Sequence, residues 1–514
     1  MCSFGSYFLL FLSQPPQQMP EAAYFFLLPT FLWFLSKPSS FKVLIAFLIS
    51  GWVYNIVLVG WMRHVSFGGM FLATLLMSFY QIPWFLLASK WVPMAVKRNF
   101  FGRMSAIFGL ASFWVLLEWS RCQFTLGFPW CPLSASQWER PAILQAVPYV
   151  GAWGVSFFLL VFNLCLASYL HHLLIRRRKK QSTFRSFCPD LYIGMSVFLL
   201  MLLPLLVIAP KDDDFAKDRR IRVGICQPYL KQKWEQNAVQ LHKNSLIRQT
   251  KFLGILDPDL IVWPEASTPY ALNLDRLWVE ELSKQVDTPL LVGAVIKEDE
   301  ASYNAVSLVS PSRGLNPEFY AKQILVPFGE YVPFPFNWIP GLRKLVGPVG
   351  DFKAGESSFV FEIRYGEKDS QKMRIGSLIC YEDIFPRLSR EVALRDLDFL
   401  FVTTNDSWFG EEGCAEQHAA HSILRALEIG IPVLRCGNAG WSGLIDKTGR
   451  VRKVLTDDSG SIYFEGGSTV ELHIESAAKT TYLSHGDYFV VICFFVFALS
   501  WLMSRIRMEK SVVS

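Results

Sequence analysis

Cys380 is the residue of this chain best suited to covalent chemistry. It ends the apolar run 374–380, which predicts a buried strand, and Glu382 and Asp383 come directly after it. A nucleophile at the carboxyl end of a strand, with acids in the next turn, suits a covalent site at the edge of an α/β sheet. Taken alone, a cysteine in this position is more often an inert core residue.

Two other stretches favour a reactive role for Cys380 over an inert one. Glu265 follows the apolar run 260–263 and Pro264, and Lys322 precedes an apolar run that ends at Glu330. Each of these charges alone is most often a solvated surface group. Together with Cys380 they supply a thiol, a base that can remove its proton and a fixed cation that can hold an oxyanion.

The part of the chain that carries these residues, about 220–475, has the pattern of an α/β domain. Its β-rich runs are nearly all apolar, which is typical of sheets covered on both faces. The predicted strands are 221–226, 260–263, 290–296, 305–309, 375–380, 399–403 and 433–436, and the predicted helices are 237–253, 274–286, 388–397 and 419–429. A hairpin turn is predicted at 446–449.

The rest of the chain is apolar enough to form a membrane array. Hydrophobic residues make up 52% of the chain and charged residues 18%, against about 25% charged in soluble proteins. Most of the long apolar runs approach or exceed the ~20 residues that cross a bilayer; they lie at 22–36, 43–62, 67–89, 104–120, 148–175, 191–209 and 488–504. The short run 7–12 suggests a truncated first segment, so six or seven spans are predicted before residue 210.

The charges orient this array. Residues 1–210 carry 15 Lys/Arg and 4 Asp/Glu, whereas residues 211–504 carry 32 and 39. The basic residues crowd every second short loop, near 37–42, 90–103, 176–185 and 505–510, and basic loops are cytoplasmic by the positive-inside rule. Residues 210–487 are therefore predicted outside the cytoplasm. The basic excess orients helices and predicts no nucleic-acid partner.

The cysteines and histidines predict neither a metal site nor a cofactor. None of the ten cysteines forms a CxxC pair, which disfavours a zinc ribbon or a thioredoxin-like site, and no particular disulfide is predicted. His418 and His421 are three residues apart, but no further grouped ligands accompany them. We predict that both are core or surface histidines.

These motifs resemble known families. The stretch 220–475 resembles the nitrilase, or carbon–nitrogen hydrolase, superfamily. The whole chain resembles the bacterial apolipoprotein N-acyltransferase family, because it also has a membrane array, which ordinary soluble nitrilases lack. The matching stretches are Gly-Phe-Pro-Trp at 127–130, Trp-Pro-Glu at 263–265, Tyr-Ala-Lys at 320–322, Leu-Val-Pro-Phe-Gly-Glu at 325–330, Ile-Cys-Tyr-Glu at 379–382 and Thr-Asn-Asp-Ser-Trp-Phe-Gly at 404–410.

The resemblance implies a polytopic α-helical membrane protein with an inserted αββα sandwich, held in the bacterial inner membrane with the sandwich in the periplasm. The predicted divisions are a membrane array at 1–209, a linker at 210–219, the catalytic domain at 220–475, a second linker at 476–487, a final span at 488–504 and a cytoplasmic tail at 505–514. The implied reaction is ping-pong. A fatty acyl chain passes from a phospholipid to the cysteine as a thioester, and then to the α-amine of the diacylglyceryl-cysteine of an apolipoprotein.

The same resemblance assigns roles. It makes Glu265 the proton acceptor, Lys322 the oxyanion stabiliser and Cys380 the nucleophile. It gives supporting roles to Glu330, Tyr381 and Glu382, and substrate-binding roles to Trp234, Phe328 and Trp338. The chain departs from the family at 436–440, where Cys-Gly-Asn-Ala-Gly replaces a frequent paired-asparagine turn.

A proline-broken aromatic stretch follows the lysine motif. Its apolar residues are Phe328, Tyr331, Phe334, Phe336, Trp338 and Ile339, interleaved with Pro333, Pro335 and Pro340. Such a stretch is too short to span a bilayer but suits the headgroup interface, where aromatic rings concentrate. A packed loop inside the domain is an equally open interpretation.

Two other functions fit parts of the sequence. A membrane-anchored amidase would share the three reactive residues but send water to the thioester. A transporter would use only the membrane half, and it is disfavoured because ionisable residues mark transport pathways whereas Glu118 is the main one within the apolar runs.

Overall fold

The computed structural model describes residues 1–124, 127–178, 188–207, 219–230, 238–332, 334, 338, 351–365, 371–474 and 479–512. Contacts between residues divide the chain into two compact units. The first comprises Met1–Gly60, Gly69–Ala209 and His485–Ser514, and the second comprises Trp61–Gly68 and Pro210–Ser484. We call them the membrane unit and the catalytic unit.

The membrane unit is helical. Its helices are α1 (Cys2–Ser13), α2 (Leu28–Phe34), α3 (Ser40–Leu58), α4 (Phe67–Ala95), α5 (Phe100–Ser120), α6 (Pro141–Leu144), α7 (Val147–Arg178), α8 (Pro189–Val207) and the C-terminal helix Tyr488–Val512. Among the described residues, five helices are long and apolar enough to cross a membrane: α3, α4, α5, α7 and the C-terminal helix. Helix α8 is apolar over the shorter stretch Pro189–Pro204.

The apolar run 22–36 does not form the single long helix that its hydropathy suggests. It is divided between a 3₁₀ turn at Pro20–Tyr24 and the seven-residue helix α2, which has a proline in its first turn. Proline is favoured at the first position of a helix and lacks the N–H that would continue a preceding one. Seven residues of helix extend only about 10 Å, so hydropathy alone misjudged this segment.

Two polar clusters tie the helix ends of the membrane unit. The carboxylate of Asp487 accepts hydrogen bonds from the indoles of Trp119 at 2.9 Å and Trp153 at 3.0 Å. The guanidinium of Arg103 donates two 2.8 Å bonds to Asp190. Helix α5 thus runs from the cluster at Asp190 to the cluster at Asp487.

The catalytic unit contains two six-stranded sheets. One has the strand order β12-β1-β2-β3-β4-β5 and the other β11-β10-β9-β8-β7-β6. The strands are β1 (Arg219–Gln227), β2 (Leu260–Trp263), β3 (Leu290–Glu298), β4 (Ala301–Ser310), β5 (Gly314–Ala321), β6 (Val360–Tyr365), β7 (Gln371–Ile379), β8 (Phe399–Thr404), β9 (Val433–Gly437), β10 (Gly443–Ile445), β11 (Val451–Val454) and β12 (Gly466–Ile474).

The sheets pack face to face between two helical layers. Successive side chains of a strand point to opposite faces of the sheet. In β2, Leu260 and Val262 therefore belong to the core between the sheets. Ile261 and Trp263 point to the other face and pack towards helices α9 (Ala238–Gly254) and α10 (Leu277–Val286). Helices α11 (Pro386–Ala393) and α12 (Cys414–Ile429) cover the second sheet. The predicted αββα sandwich is confirmed.

The sequence prediction succeeded for central strands and missed edge strands. All seven predicted strands are present, as is the hairpin at 446–449, which joins β10 to β11. The missed strands β5, β6 and β12 each lie at the edge of a sheet. Edge strands are partly exposed and tolerate polar residues and proline, as in β5 with Pro317, so they lack a continuous apolar run. The predicted helix 388–397 is shifted to Pro386–Ala393.

The core between the sheets should dominate the stability of the catalytic unit. Phe401 of β8 is fully buried there, so Phe401→Ala should destabilise the protein by about 3–5 kcal/mol through lost burial and a cavity. Phe252→Ala on α9 is the control, because Phe252 is 53% exposed and should cost at most about 0.5 kcal/mol. Thermal unfolding in detergent measures both. Equal losses of stability would contradict the core assignment.

Candidate active site

The three predicted reactive residues come directly after strands. Glu265 follows β2, Lys322 follows β5 and Cys380 follows β7, so two of them leave one sheet and the third leaves the other. Each strand is buried near this end and its main chain is fixed by the sheet. Residues just beyond strand ends are thereby held on a rigid support while their side chains remain free of the sheet core.

Lys322 and the two predicted glutamates form a buried cluster. The ammonium of Lys322 lies 3.7 Å from Glu265 and 2.9 Å from Glu330. The amide of Asn304 donates to both carboxylates, at 2.7 Å to Glu265 and 3.0 Å to Glu330. Asn304, on β4, was not found in the sequence, because it lies within a strand and no motif distinguishes it.

Glu382 connects the segments that carry Lys322 and Cys380. One carboxylate oxygen accepts the N–H groups of Gln323 at 2.6 Å and Ile324 at 3.2 Å. The other accepts the N–H of Ile379 at 2.7 Å and the hydroxyl of Tyr320 at 2.8 Å. Glu382 therefore joins the end of β5 to the end of β7, which fixes the lysine and cysteine relative to each other.

Cys380 begins a 3₁₀ turn, Cys380–Ile384, and has a φ of 51°. A non-glycine residue in this left-handed region is strained, and such residues persist where the surroundings hold them. The imidazole Nε2 of His418 lies 3.1 Å from the carbonyl oxygen of Cys380. The turn directs the chain away from the sheet immediately after the thiol.

Burial and the neighbouring charges shift the pKa values of Glu265, Lys322 and Cys380. Burial raises the pKa of Glu265, and Lys322 opposes that rise. Burial alone would lower the pKa of Lys322, but Glu330 and Glu265 raise it well above its ordinary value. Burial and the charge of Glu265 raise the pKa of the Cys380 thiol, against the effect of Lys322. The resting site therefore holds a protonated Cys380 thiol and a charged Lys322 ammonium.

Glu382 differs from the other carboxylates. Burial raises its pKa to about 7, although the N–H groups of Ile379 and Gln323 and the charge of Lys322 act in the opposite direction. Its four hydrogen-bond donors occupy both oxygens. Glu382 therefore connects these segments structurally.

A second buried cluster lies behind Cys380. His418 contacts Asp383 at 2.8 Å through Nε2 and Asp406 at 3.1 Å through Nδ1. Arg435 donates to Asp383 at 2.7 Å. The sequence interpretation of His418 as an ordinary core or surface histidine missed these contacts, which join residues far apart in the chain.

Only one group in the described part of the chain has donor atoms close enough for a metal ion. A Cys380 sulfur, an Asp406 oxygen and a His418 nitrogen lie within 4.8 Å of one another. This donor set does not suit a metal, because both ring nitrogens of His418 already face carboxylates.

The remaining predicted site residues differ in burial, and several lie outside the described residues. Tyr381 is buried, with its ring 5.1 Å from that of Phe385. Phe328 has a φ of 63° and donates its N–H to the carbonyl of Tyr331 at 2.7 Å. Trp338 is exposed and stacks edge-on against Phe334. Trp234, Phe336, Ile339 and the three interleaved prolines lie outside the described residues, so the headgroup interpretation of the aromatic stretch stays a prediction.

The turn at 436–440 holds its single asparagine in a defined place. The amide of Asn438 donates to the carbonyl of Leu230 at 3.0 Å and to Asn405 at 3.1 Å, and its oxygen accepts the N–H of Leu230. One asparagine therefore connects the end of β9 to the segment after β1 and to the segment after β8. This places Asn438 next to the motif at 404–410.

Gly293 of β3 controls the position of Glu265. A Cβ at this position would lie 2.3 Å from the carbonyl oxygen of Pro264 and 2.9 Å from the Cα of Glu265. Gly293→Ala should therefore displace the base and slow the alkylation of Cys380 by iodoacetamide at pH 7 about tenfold or more, since ångström-scale misplacement is costly. Mass mapping of the Cys380 peptide measures the rate.

Gly224→Ala is the matched control, in β1 of the same sheet. Its Cβ would lie 3.2 Å from the side-chain Cγ1 of Ile261 and would contact no backbone atom within 3.4 Å. The control should alkylate at the wild-type rate. Wild-type alkylation of a folded Gly293→Ala protein would show that the placement of Glu265 does not matter to the thiol.

Comparisons with known proteins agree with this architecture. Residues 6–165 match the model of the apolipoprotein N-acyltransferase N-terminal domain, and residues 222–470 match the model of the carbon-nitrogen hydrolase. The first match falls on the membrane unit apart from Trp61–Gly68, and the second lies within the catalytic unit.

Similar curated proteins cover most of the chain. It is 27% identical over 492 residues to an apolipoprotein N-acyltransferase of Chlorobaculum tepidum, covering 88% of this chain and 86% of that protein. It is also 27% identical to an apolipoprotein N-acyltransferase of Pseudomonas syringae, covering 90% and 89% respectively. A Geobacter metallireducens protein of the same name is 28% identical, covering 78% and 75%.

Similar solved structures cover only about half of the chain. An amidase of the nitrilase superfamily from Nesterenkonia has a TM-score of 0.38 and 14% identity, covering 51% of this chain and 93% of its own. A CN-hydrolase superfamily protein from Xanthomonas campestris has a TM-score of 0.37 and 16% identity, covering 53% and 97%. With both domain models matched and full-length relatives of one name, the chain belongs to the apolipoprotein N-acyltransferase family, a membrane-embedded branch of the nitrilase superfamily.

Proposed function

We propose that this protein is a bacterial membrane acyltransferase. It transfers a fatty acyl chain from a phospholipid to the free α-amine of the diacylglyceryl-cysteine that begins an apolipoprotein. The observation that carries the proposal is the buried cluster of Glu265 and Lys322 beside Cys380. The described part of the chain also includes five helices long and apolar enough to cross a membrane. Both substrates are lipid-anchored, so a membrane enzyme can meet them in one leaflet.

The first half-reaction forms a thioester. Glu265 takes the proton of the Cys380 thiol, and the sulfur attacks the ester carbonyl of the phospholipid. The resulting oxyanion is stabilised by the Lys322 ammonium, which its neighbouring carboxylates keep protonated. The tetrahedral intermediate collapses, the C–O bond breaks and the lysophospholipid alkoxide leaves with the proton from Glu265.

The second half-reaction forms an amide. The α-amine of the apolipoprotein attacks the thioester carbonyl, and Lys322 again stabilises the oxyanion. Glu265 takes a proton from the amine and returns it to the departing sulfur, so that the C–S bond breaks and the thiol is restored. One ester and one amine give one alcohol and one amide, with no net change at Glu265, Lys322 or Cys380.

The supporting residues fit these steps. Glu330 lies 2.9 Å from the Lys322 ammonium and also accepts the N–H of Val326 at 2.8 Å, so it fixes the cation without serving as the base. The amide of Asn304 donates to both Glu265 and Glu330 and so fixes the two carboxylates relative to each other. Removing one oxyanion donor typically costs about 10²–10³ in rate, which sets the scale for Lys322.

The catalytic unit is proposed to lie in the periplasm. Residues Trp61–Gly68, which connect α3 to α4, pack within the catalytic unit. The indole of Trp61 donates to Gln417 at 3.0 Å, and His64 contacts Glu412 at 2.9 Å. This loop is one of the segments poor in basic residues that the positive-inside rule assigns to the outside. Its contacts support the same side for residues 219–484.

The triad should act as a unit in thioester formation. Cys380→Ala and Glu265→Gln should each abolish hydroxylamine-sensitive label from phosphatidylethanolamine with a labelled acyl chain, and Lys322→Ala should lower the rate at least about 10²-fold. Because the three residues serve one step, double variants should lose no more than the worst single variant. Cys414→Ala, a buried cysteine on α12, is the control and should label normally.

The fate of the label separates a transferase from an amidase. A diacylglyceryl-cysteine peptide should discharge the wild-type thioester promptly, whereas water should leave it intact for minutes, because a transferase must shield its intermediate. Label that persists on Cys380→Ala would refute the nucleophile. Equal discharge by water and peptide would retain the triad and favour the hydrolase.

The proposed orientation has its own test. A reporter that is active only in the periplasm should be active when inserted after Ser310, in the turn between β4 and β5, and inactive when fused after Arg178, at the end of α7. Both sites follow the charge alternation of the loops. The reverse pattern would exclude a periplasmic catalytic unit.

A further inference from the structure

The strained backbone of Cys380 requires an explanation that the triad does not supply. A φ of 51° at a non-glycine residue lies in a sparsely populated region of backbone conformation and is energetically costly. The N–H of Ile379, before the cysteine, is held by Glu382 at 2.7 Å. The carbonyl of Cys380, after its Cα, is held by Nε2 of His418 at 3.1 Å. The nucleophile is thus restrained on both sides, and His418 supplies the second restraint.

The surroundings of His418 require a donor on each ring nitrogen. Nε2 faces the Cys380 carbonyl and Asp383, and Nδ1 faces Asp406. All three partners are acceptors, whereas a neutral imidazole has a single N–H. Burial alone would lower the pKa of His418, but Asp383 and Asp406 raise it to about 9. The ring is therefore an imidazolium at neutral pH.

The charges around this imidazolium balance. Asp383, Asp406, His418 and Arg435 are all at least 98% buried. Arg435 donates to Asp383 at 2.7 Å and to Ser422 at 2.6 Å, and Ser422 itself donates to Asp383. His418 and Arg435 thus supply two positive charges against two carboxylates. This network fixes the ring, since moving it would leave a buried carboxylate short of a partner.

We propose that His418 is a positioning residue for the nucleophile. Its ring, fixed between Asp383 and Asp406, donates to the carbonyl of Cys380 and holds the cysteine in the left-handed conformation that keeps its sulfur beside Glu265 and Lys322. His418 makes no bond to substrate in this role. The inference deepens the proposed function, because it names what holds the thiol in place for both half-reactions.

Two near-isosteric variants isolate the bond to the carbonyl. His418→Gln places an amide N–H where Nε2 lies and keeps a donor to Cys380, whereas His418→Asn places its amide where Nδ1 lies and cannot reach the carbonyl. His418→Asn should slow thioester formation from phosphatidylethanolamine about 10²-fold, since ångström-scale misplacement has that effect. His418→Gln should retain activity within about tenfold of wild type. The KM for phospholipid should stay unchanged in both.

A second readout needs no substrate. The rate at which iodoacetamide alkylates Cys380 should fall about tenfold or more in His418→Asn and recover in His418→Gln. This comparison stands even if the wild type forms no thioester, which would refute the proposed function alone. The control is His421→Asn, which removes a buried histidine one turn along α12. It should leave both rates at the wild-type level whatever it does to the melting temperature.

The outcomes decide the proposal. Loss in His418→Asn with rescue in His418→Gln, in proteins that melt at similar temperatures, supports it. Wild-type rates in a folded His418→Asn protein would overturn it. Equal loss in the asparagine and glutamine variants would overturn the bond to the Cys380 carbonyl as the cause, as would a loss of the same size in His421→Asn.

Discussion

A lysine ammonium buried between two carboxylates is the interaction around which the catalytic unit is organised. Lys322 is 1% exposed and lies 2.9 Å from Glu330 and 3.7 Å from Glu265. An isolated charge is costly to bury, so the lysine needs both partners, and Asn304 and the N–H of Val326 complete the bonding of those carboxylates. The result is a fixed positive charge in a site shielded from water, where an oxyanion benefits most.

The two sheets of the sandwich bring the buried charges and Cys380 to the same site. Lys322 and Glu265 leave one sheet and Cys380 leaves the other, so the chemistry depends on how the sheets are joined. Glu382 makes that connection through main-chain bonds on both sides. His418 contacts the carbonyl oxygen of Cys380 through Nε2. The charge cluster thus follows the strands of one sheet, and Cys380, with its positive φ, follows a strand of the other.

The features that could be predicted from the sequence are those that depend on residues close together in the chain. The central strands are continuous apolar runs, so the α/β class was predictable. Glu265, Lys322 and Cys380 stand next to such runs, so the sequence also named them as candidates that the structure brings to neighbouring strand ends. Asn304 and Asp406 acquire their roles only through contacts with distant residues. Residues 22–36 have the hydropathy of a span, yet a short helix with a proline in its first turn begins there at Leu28. Local composition cannot reveal such tertiary partners.

The central claim is that the acyl chain is carried on Cys380 between two substrates. Incubating the purified full-length protein with phosphatidylethanolamine, without any acceptor, isolates the first half-reaction. Mass spectrometry of the digested protein, kept at mildly acidic pH, then identifies the modified residue. The account predicts one acyl group on the peptide that contains Cys380, lost when a diacylglyceryl-cysteine peptide is added. An acyl group on any other residue, or none on Cys380 while acyl transfer proceeds, would contradict it.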